Sequence, residues 1–165
     1  MPGNRPERFD KAAASGADAI IIDLEDAVPA EAKVAARSAL RADFTGLPVL
    51  VRINEAATPW HWDDLAAVLD TPFAGIIIPK AELRRGLETV CAPPIGRRPA
   101  IVALIEAAQG LANARPIAAL PGVERLAFGS IDFCADLGFG RARALEDDPR
   151  LRRPRHRHAM APRSG

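Results

Sequence analysis

Ala19-Ile20-Ile21-Ile22-Asp23 sets the pattern that decides the architecture: a short, β-branched, almost wholly apolar run that ends abruptly in the charged cluster Asp23-Leu24-Glu25-Asp26. A strand buried on one face alternates apolar and polar residues, whereas a strand covered on both faces, as in a parallel sheet, reads as an unbroken apolar run. Four more runs share the character: Val49-Leu50-Val51-Arg52-Ile53, Gly75-Ile76-Ile77-Ile78-Pro79, Ile101-Val102-Ala103-Leu104-Ile105 and Arg125-Leu126-Ala127-Phe128-Gly129. Their second residues, 20, 50, 76, 102 and 126, step by 30, 26, 26 and 24, the spacing of repeated strand–helix units. Between them, residues 30–42, 60–69, 81–90 and 107–119 are Ala-rich with helical spacing, and residues 6–15 form a helix that ends at Gly16 before the first strand. Pro29 and Pro59 stand where a first helical turn tolerates a missing N–H.

The chain has 165 residues, 48% hydrophobic and 26% charged, enough apolar material for one globular core and too much for general disorder. Its net charge of +1 hides an asymmetry: residues 1–140 carry 14 Lys+Arg against 18 Asp+Glu, and residues 141–165 carry 8 against 3. A body of net negative sign offers no broad field for nucleic acid or anionic lipid, so neither is an expected partner. The longest apolar strings fall far short of the roughly 20 residues that cross a bilayer. Cys91 and Cys134 lie far apart and no leader of charged and then apolar residues is read at the start, so a reducing cytoplasm is expected. The expected organisation is a domain over residues 1–140 and a basic, disordered or aberrant tail over 141–165, whose His156 and His158 read as solvated.

Strand–helix units of this spacing fit either an open doubly wound sheet or an eight-fold barrel of about 250 residues. Length argues against a complete barrel, and the placement of charge argues for barrel ancestry. The five strand ends carry Glu25 and Asp26, then Arg52 with Asn54 and Glu55, then Lys80, then Glu106, then Asp132, and barrel active sites are built at that end. Glu106 and Asp132, on consecutive strand ends, would form a half-shell for a hard divalent cation, for which Mg²⁺ fits best because it needs only one or two carboxylates. Arg52 is a forked donor suited to a substrate carboxylate, held in place by Glu25 or Asp26, with a purely structural ion pair as the equal alternative. His61, between Trp60 and Trp62, reads as a surface imidazole beside an inward-packed indole. Cys134 reads as a small buried residue.

The segments PGNRPERFDKAAASGADAIIIDLEDAV (2–28), VRIN (51–54), GIIIPKAE (75–82), ALIEAAQG (103–110) and FGSIDFCADLG (128–138) follow one another in an order that resembles the HpcH/HpaI aldolase and citrate lyase beta-subunit family of Mg²⁺-dependent carbon–carbon lyases. The resemblance implies a (β/α)₈ barrel that cleaves or forms a C–C bond beside a carbonyl, typically with a hydroxyacyl-CoA such as citryl-CoA or malyl-CoA, giving an acyl-CoA and an oxo acid. It implies Glu106 and Asp132 as Mg²⁺ ligands, with Glu106 also at the substrate. Arg52 would lie on the oxo- or hydroxy-acid portion, Glu25 and Asp26 would be acid/base candidates, Lys80 a supporting charge, and Arg5 in the helix-entry loop a contact for a coenzyme A phosphate. Against the family pattern the chain is expected to be a partial barrel of five strands, lacking the first and the last two, from a truncated or frameshifted product. Its open edges would favour a homo-oligomer. The alternatives are a non-catalytic remnant or interaction module of the family, and an aldolase acting on a free 2-oxo acid.

Overall fold

The computed structural model describes residues 1–83, 85–91 and 99–139; the tail expected over 141–165 lies outside the described residues. Five strands, β1 (Ile20–Asp23), β2 (Val49–Arg52), β3 (Gly75–Ile78), β4 (Ala100–Ile105) and β5 (Val123–Phe128), form one sheet in the order β1-β2-β3-β4-β5. Every neighbouring pair is parallel. Parallel neighbours need a crossover, and helices supply it: α2 (Lys33–Ser38), α3 (His61–Leu69), α4 (Arg85–Cys91), then α5 (Ala108–Ala112) with α6 (Ala114–Ala118). α1 (Phe9–Ala13) precedes β1 and α7 (Ser130–Asp136) follows β5. A doubly wound sheet reverses its strand order at a switch point, whereas here spatial order equals chain order. The doubly wound arrangement is therefore not the one observed, and among the described residues the sheet is not closed.

The outer edge of β1 is not bare. Residues 1–3 run parallel to it: the Asp23 N–H donates to the Met1 carbonyl and the Gly3 N–H to the Asp23 carbonyl, both at 2.8 Å. Pro2 thus makes an isolated parallel bridge with Asp23 beside the end of β1.

Side chains alternate across a strand, so the register decides which residues share a face. Ile20, Ile22, Val49, Val51, Ile76, Ile78, Ile101, Ala103 and Ile105 fall in one buried cluster with Phe9 of α1, Ala36 of α2, Val68 of α3, Leu87 of α4 and Ile117 of α6. Each Val, Leu, Ile or Phe side chain among them contributes roughly 1.5–3 kcal/mol on burial. The opposite face is less covered: Ile21 is 45% exposed, and Leu50, Val102 and Leu104 are half-buried.

Helix boundaries depart from the periodicity where backbone chemistry intervenes. The single helix expected over 107–119 is two helices meeting at Asn113, because Pro116 has no N–H to bond the carbonyl four residues back and its ring crowds that carbonyl. The helix expected from residue 81 is observed over Arg85–Cys91, while Ala81 itself stays beside β4, its N–H donating to the Leu104 carbonyl at 3.0 Å. No helix of the described residues is long and apolar enough to cross a membrane.

Candidate active site

The β1–β2 register sets Asp23 directly beside Arg52 at the carboxyl ends of both strands. Arg52 Nε donates to Asp23 Oδ1 at 2.8 Å and Nη2 to Oδ2 at 2.6 Å, a two-pronged pair. Asp23 also accepts the N–H groups of Glu25 at 2.9 Å and Ala27 at 3.1 Å. These two bonds curl the acidic loop back over the strand end. Arg52 Nη1 then faces Glu25 Oε2 at 3.0 Å and Asp26 Oδ2 at 3.6 Å. Glu25 and Asp26 do hold the guanidinium, but Asp23, which the sequence reading passed over, is its main anchor.

The three carboxylates titrate differently because they share one cation unequally. Burial pushes Asp23 upward, but the Arg52 hydrogen bonds and the two amide donors outweigh it, and its carboxyl lies below the ordinary value. Glu25 is buried with neither oxygen accepting a hydrogen bond. Its desolvation, reinforced by the charges of Asp26 and Glu106, overcomes the pull of Arg52 and Lys80 and raises it to about 7. The hydrogen bonds Arg52 donates to Asp23, and then the charges of the three surrounding carboxylates, hold the Arg52 proton more tightly than usual despite burial.

Lys80, just past β3, has φ of 46°, a left-handed backbone that a side chain bearing a Cβ rarely takes. In that conformation its N–H donates to Glu106 Oε1 at 2.7 Å, while its Nζ lies 2.8 Å from Glu55 Oε2 and 3.8 Å from Glu25 Oε1. The Glu55 hydrogen bond raises the ammonium pKa. Glu106, buried at the end of β4, is raised chiefly by desolvation, and the negative charge of Asp132 adds to it against the Lys80 N–H bond. Asp132 lies in the first turn of α7 and is half-buried. Gly129 makes the approach possible: a Cβ there would come 2.8 Å from Glu106 Oε2 and 2.9 Å from Glu106 Cβ. Among the described residues no group of three His, Cys, Asp or Glu side chains gathers for a metal. Two carboxylates whose charges repel remain, an oxygen-only donor set that fits Mg²⁺ and not a soft metal.

Beneath this mouth lies a buried polar network that the sequence reading missed. Lys33 of α2 donates to the carbonyls of Leu24 and Glu25, both at 2.8 Å, and to Asn54 Oδ1 at 2.6 Å. Asp64 of α3 accepts the backbone N–H and the side-chain amide of Asn54 at 3.1 and 2.6 Å, and Arg37 Nη1 at 2.8 Å. The signal available in the sequence was the four-residue spacing of Lys33 and Arg37 on one helix face. His61 is fully buried, with Nδ1 2.8 Å from the Asn54 carbonyl, while Trp62 is 49% exposed. The surface imidazole expected at this position is therefore corrected: the hydrogen bond to Asn54 draws the ring inward.

Arg5 is exposed and lies 3.6 Å from Glu7. A cavity of about 580 Å³ nearby is lined by Met1, Arg8, Lys11, Ala12 and Ser15, so its cations are Arg8 and Lys11 rather than Arg5. Cys134 is half-buried and unpaired by any disulfide.

The family model for HpcH/HpaI aldolase/citrate lyase matches residues 1–147. The chain is 40% identical over 149 residues to a citrate lyase subunit beta-like protein of Deinococcus radiodurans, covering 83% of this chain and 52% of that protein. It is 37% identical over 145 residues to a (3S)-malyl-CoA thioesterase of Cereibacter sphaeroides, covering 84% and 50%. The crystal structure of protein CitE from Mycobacterium tuberculosis in complex with magnesium, acetoacetate and coenzyme A superposes with a TM-score of 0.72 at 39% identity, over 85% of this chain and 50% of that one. The chain spans about half the length of the curated relatives it matches.

Proposed function

The chain belongs to the HpcH/HpaI aldolase/citrate lyase family, and on that premise we propose that it is a Mg²⁺-dependent carbon–carbon lyase of a partial (β/α)₈ barrel. It acts on a hydroxyacyl-CoA such as citryl-CoA or malyl-CoA and gives an acyl-CoA and an oxo acid. The observation that carries the reading is the convergence of Arg52, Glu25, Lys80 and Glu106 at adjacent strand ends, joined by contacts of 2.7 to 3.8 Å.

Glu106 and Asp132 would hold the Mg²⁺. When bound, the ion supplies a Lewis acid for the 2-oxo or 2-hydroxy oxygen of the substrate. Arg52 keeps N–H groups on Nη1 and Nη2 beyond those directed at Asp23, and these receive the substrate carboxylate. The Asp23 pair fixes the guanidinium plane before substrate arrives, so little reorganisation is needed on binding. Glu25, near proton balance at neutral pH, takes the proton of the substrate hydroxyl at its carboxylate. The C–C bond breaks, its electron pair passes to the thioester enolate, and the proton returns to the enolate carbon. Asp26, more exposed on the same loop, supports Glu25 by charge. The cavity at Arg8 and Lys11 suits the phosphates of a coenzyme A ester.

The thioesterase relative favours a second reading, in which the same groups direct water at the thioester carbonyl. Thermal unfolding with and without Mg²⁺ plus oxaloacetate, beside an Asp132→Ala control, tests the site. A rise in Tm that the control loses is expected, and indifference to both ligands rejects the lyase. Product analysis on malyl-CoA then separates the readings: acetyl-CoA and glyoxylate from cleavage, malate and free coenzyme A from hydrolysis.

A further inference from the structure

Lys33 is buried, and its ammonium meets three acceptors, the Leu24 carbonyl, the Glu25 carbonyl and Asn54 Oδ1, at 2.6 to 2.8 Å. An ammonium has three N–H donors, so the set is complete. The two carbonyls belong to the acidic loop after β1, and Asn54 belongs to the loop after β2. Asn54 is itself fixed by Asp64, which Arg37 holds at 2.8 Å. Lys33 and Arg37 stand one turn apart on α2, so one helix face clamps both loops that surround Arg52. The Trp60 ring lies over the Lys33 ammonium at 5.4 Å, a cation–π contact that adds to its hold.

We infer that Lys33 is the positioning residue of the acidic loop: by binding the Leu24 and Glu25 carbonyls to Asn54 it holds the Glu25 carboxylate in its buried place facing Arg52 and Lys80. It touches no reacting atom and acts through Glu25, so the inference rests on the reading of Glu25 as the proton-handling group. Hydrogen bonding inside the loop is not enough to do this alone. The Asp23 carboxylate binds the Glu25 and Ala27 amides, which shapes the turn, and Arg52 at the end of β2 holds it through the Leu24 N–H and the loop carboxylates. The Lys33 bonds add the tie from the Leu24 and Glu25 carbonyls to Asn54 in the loop beyond β2.

The test uses no substrate and no metal, so it can fail or succeed independently of the lyase reading. In the wild-type chain the Lys33 ammonium must appear as a slowly exchanging ¹⁵Nζ resonance; its absence overturns the inference. In Lys33→Met, the amides of Glu25 and Ala27 are expected to lose about tenfold in hydrogen-exchange protection, while the Ile53 amide, bonded to Ile77 across the sheet, keeps its own. The ¹³C titration midpoint of Glu25, assigned with Glu25→Gln, is expected to fall by about one pH unit as the carboxyl leaves its buried position. The sign is diagnostic. The groups facing Glu25 are Arg52, Asp26, Glu106 and Lys80, and deletion of a further cation by charge alone could only raise a carboxyl. An unchanged or raised midpoint in folded protein, or equal loss of protection in loop and sheet, overturns the inference. If the methionine variant does not fold, Lys33→Arg decides: it keeps a buried cation but cannot gather three donors at one point, and protection retained at Glu25 and Ala27 overturns the inference as well.

Discussion

The two halves of the mouth are built on opposite principles. At the β1–β2 end, Asp23, Glu25, Asp26, Lys33, Arg37, Arg52, Asn54 and Asp64 interlock, and nearly every charge has a counter-charge or a dipole at hydrogen-bond distance. At the β4–β5 end, Glu106 and Asp132 are two like charges; Glu106 accepts one backbone N–H, from Lys80, and feels the Arg52 and Lys80 charges only at longer range. The first half is organised by the chain's own ions, while the second has a surplus of negative oxygen. Such a surplus is the arrangement that a divalent cation completes.

The sharpest way to break this comparison is Arg52→Met. It leaves buried carboxylates without their cation and is expected to cost about 3–5 kcal/mol in urea unfolding at pH 7. A loss near zero would mean that the β1–β2 half does not depend on its own ions.

Glu25 supplies the next effect. Its carboxyl titrates at about 7 in the fold against 4.5 for the free group, so between those values the folded state binds more protons than the unfolded. Stability therefore falls as pH rises from 4.5 to 7, by roughly 3 kcal/mol in total. Asp23 runs the other way in a lower window: its contribution is present above its unfolded value of 3.8 and is lost as pH falls through its folded one. Denaturant midpoints measured across pH 4–8 should show the decline, and Glu25→Gln should flatten it.

In the second half the effects are smaller. Gly129→Ala drives a Cβ into Glu106, which is itself buried, and should cost about 1–3 kcal/mol by thermal or urea unfolding. Asp132→Ala removes a half-buried carboxylate that repels its neighbour, and in the absence of divalent ions it should stay within about 0.5 kcal/mol of wild type. The same substitution should abolish any Mg²⁺-dependent rise in Tm. A large loss without metal would mean that Asp132 is held by the fold and is not free to serve a cation.

How far the sequence could be read follows from what each signal depends on. The apolar runs place all five strands to within two residues, because burial on both faces leaves no polar position to confuse the pattern. The strand-end residues Arg52, Lys80 and Glu106 were legible for the same reason, since the run stops where the charge starts. Helix interiors were less legible: a local event such as the proline at 116 leaves little trace in periodicity. The network of Lys33, Asn54, His61 and Asp64 was the hardest to see. Its bonds link residues 7 to 21 positions apart, and each of these side chains, taken alone, has the look of a surface group.

The equality of chain order and sheet order has a consequence for how the molecule is made. Each strand pairs with the one synthesised just before it, some 24 to 30 residues earlier. No strand waits for a distant partner, so loop closures stay short and nearly uniform along the chain. The sheet can grow stave by stave from β1 as the polypeptide emerges, each new strand–helix unit docking on a finished edge. Assembly of this kind is vectorial, with the most recently made edge always the next template.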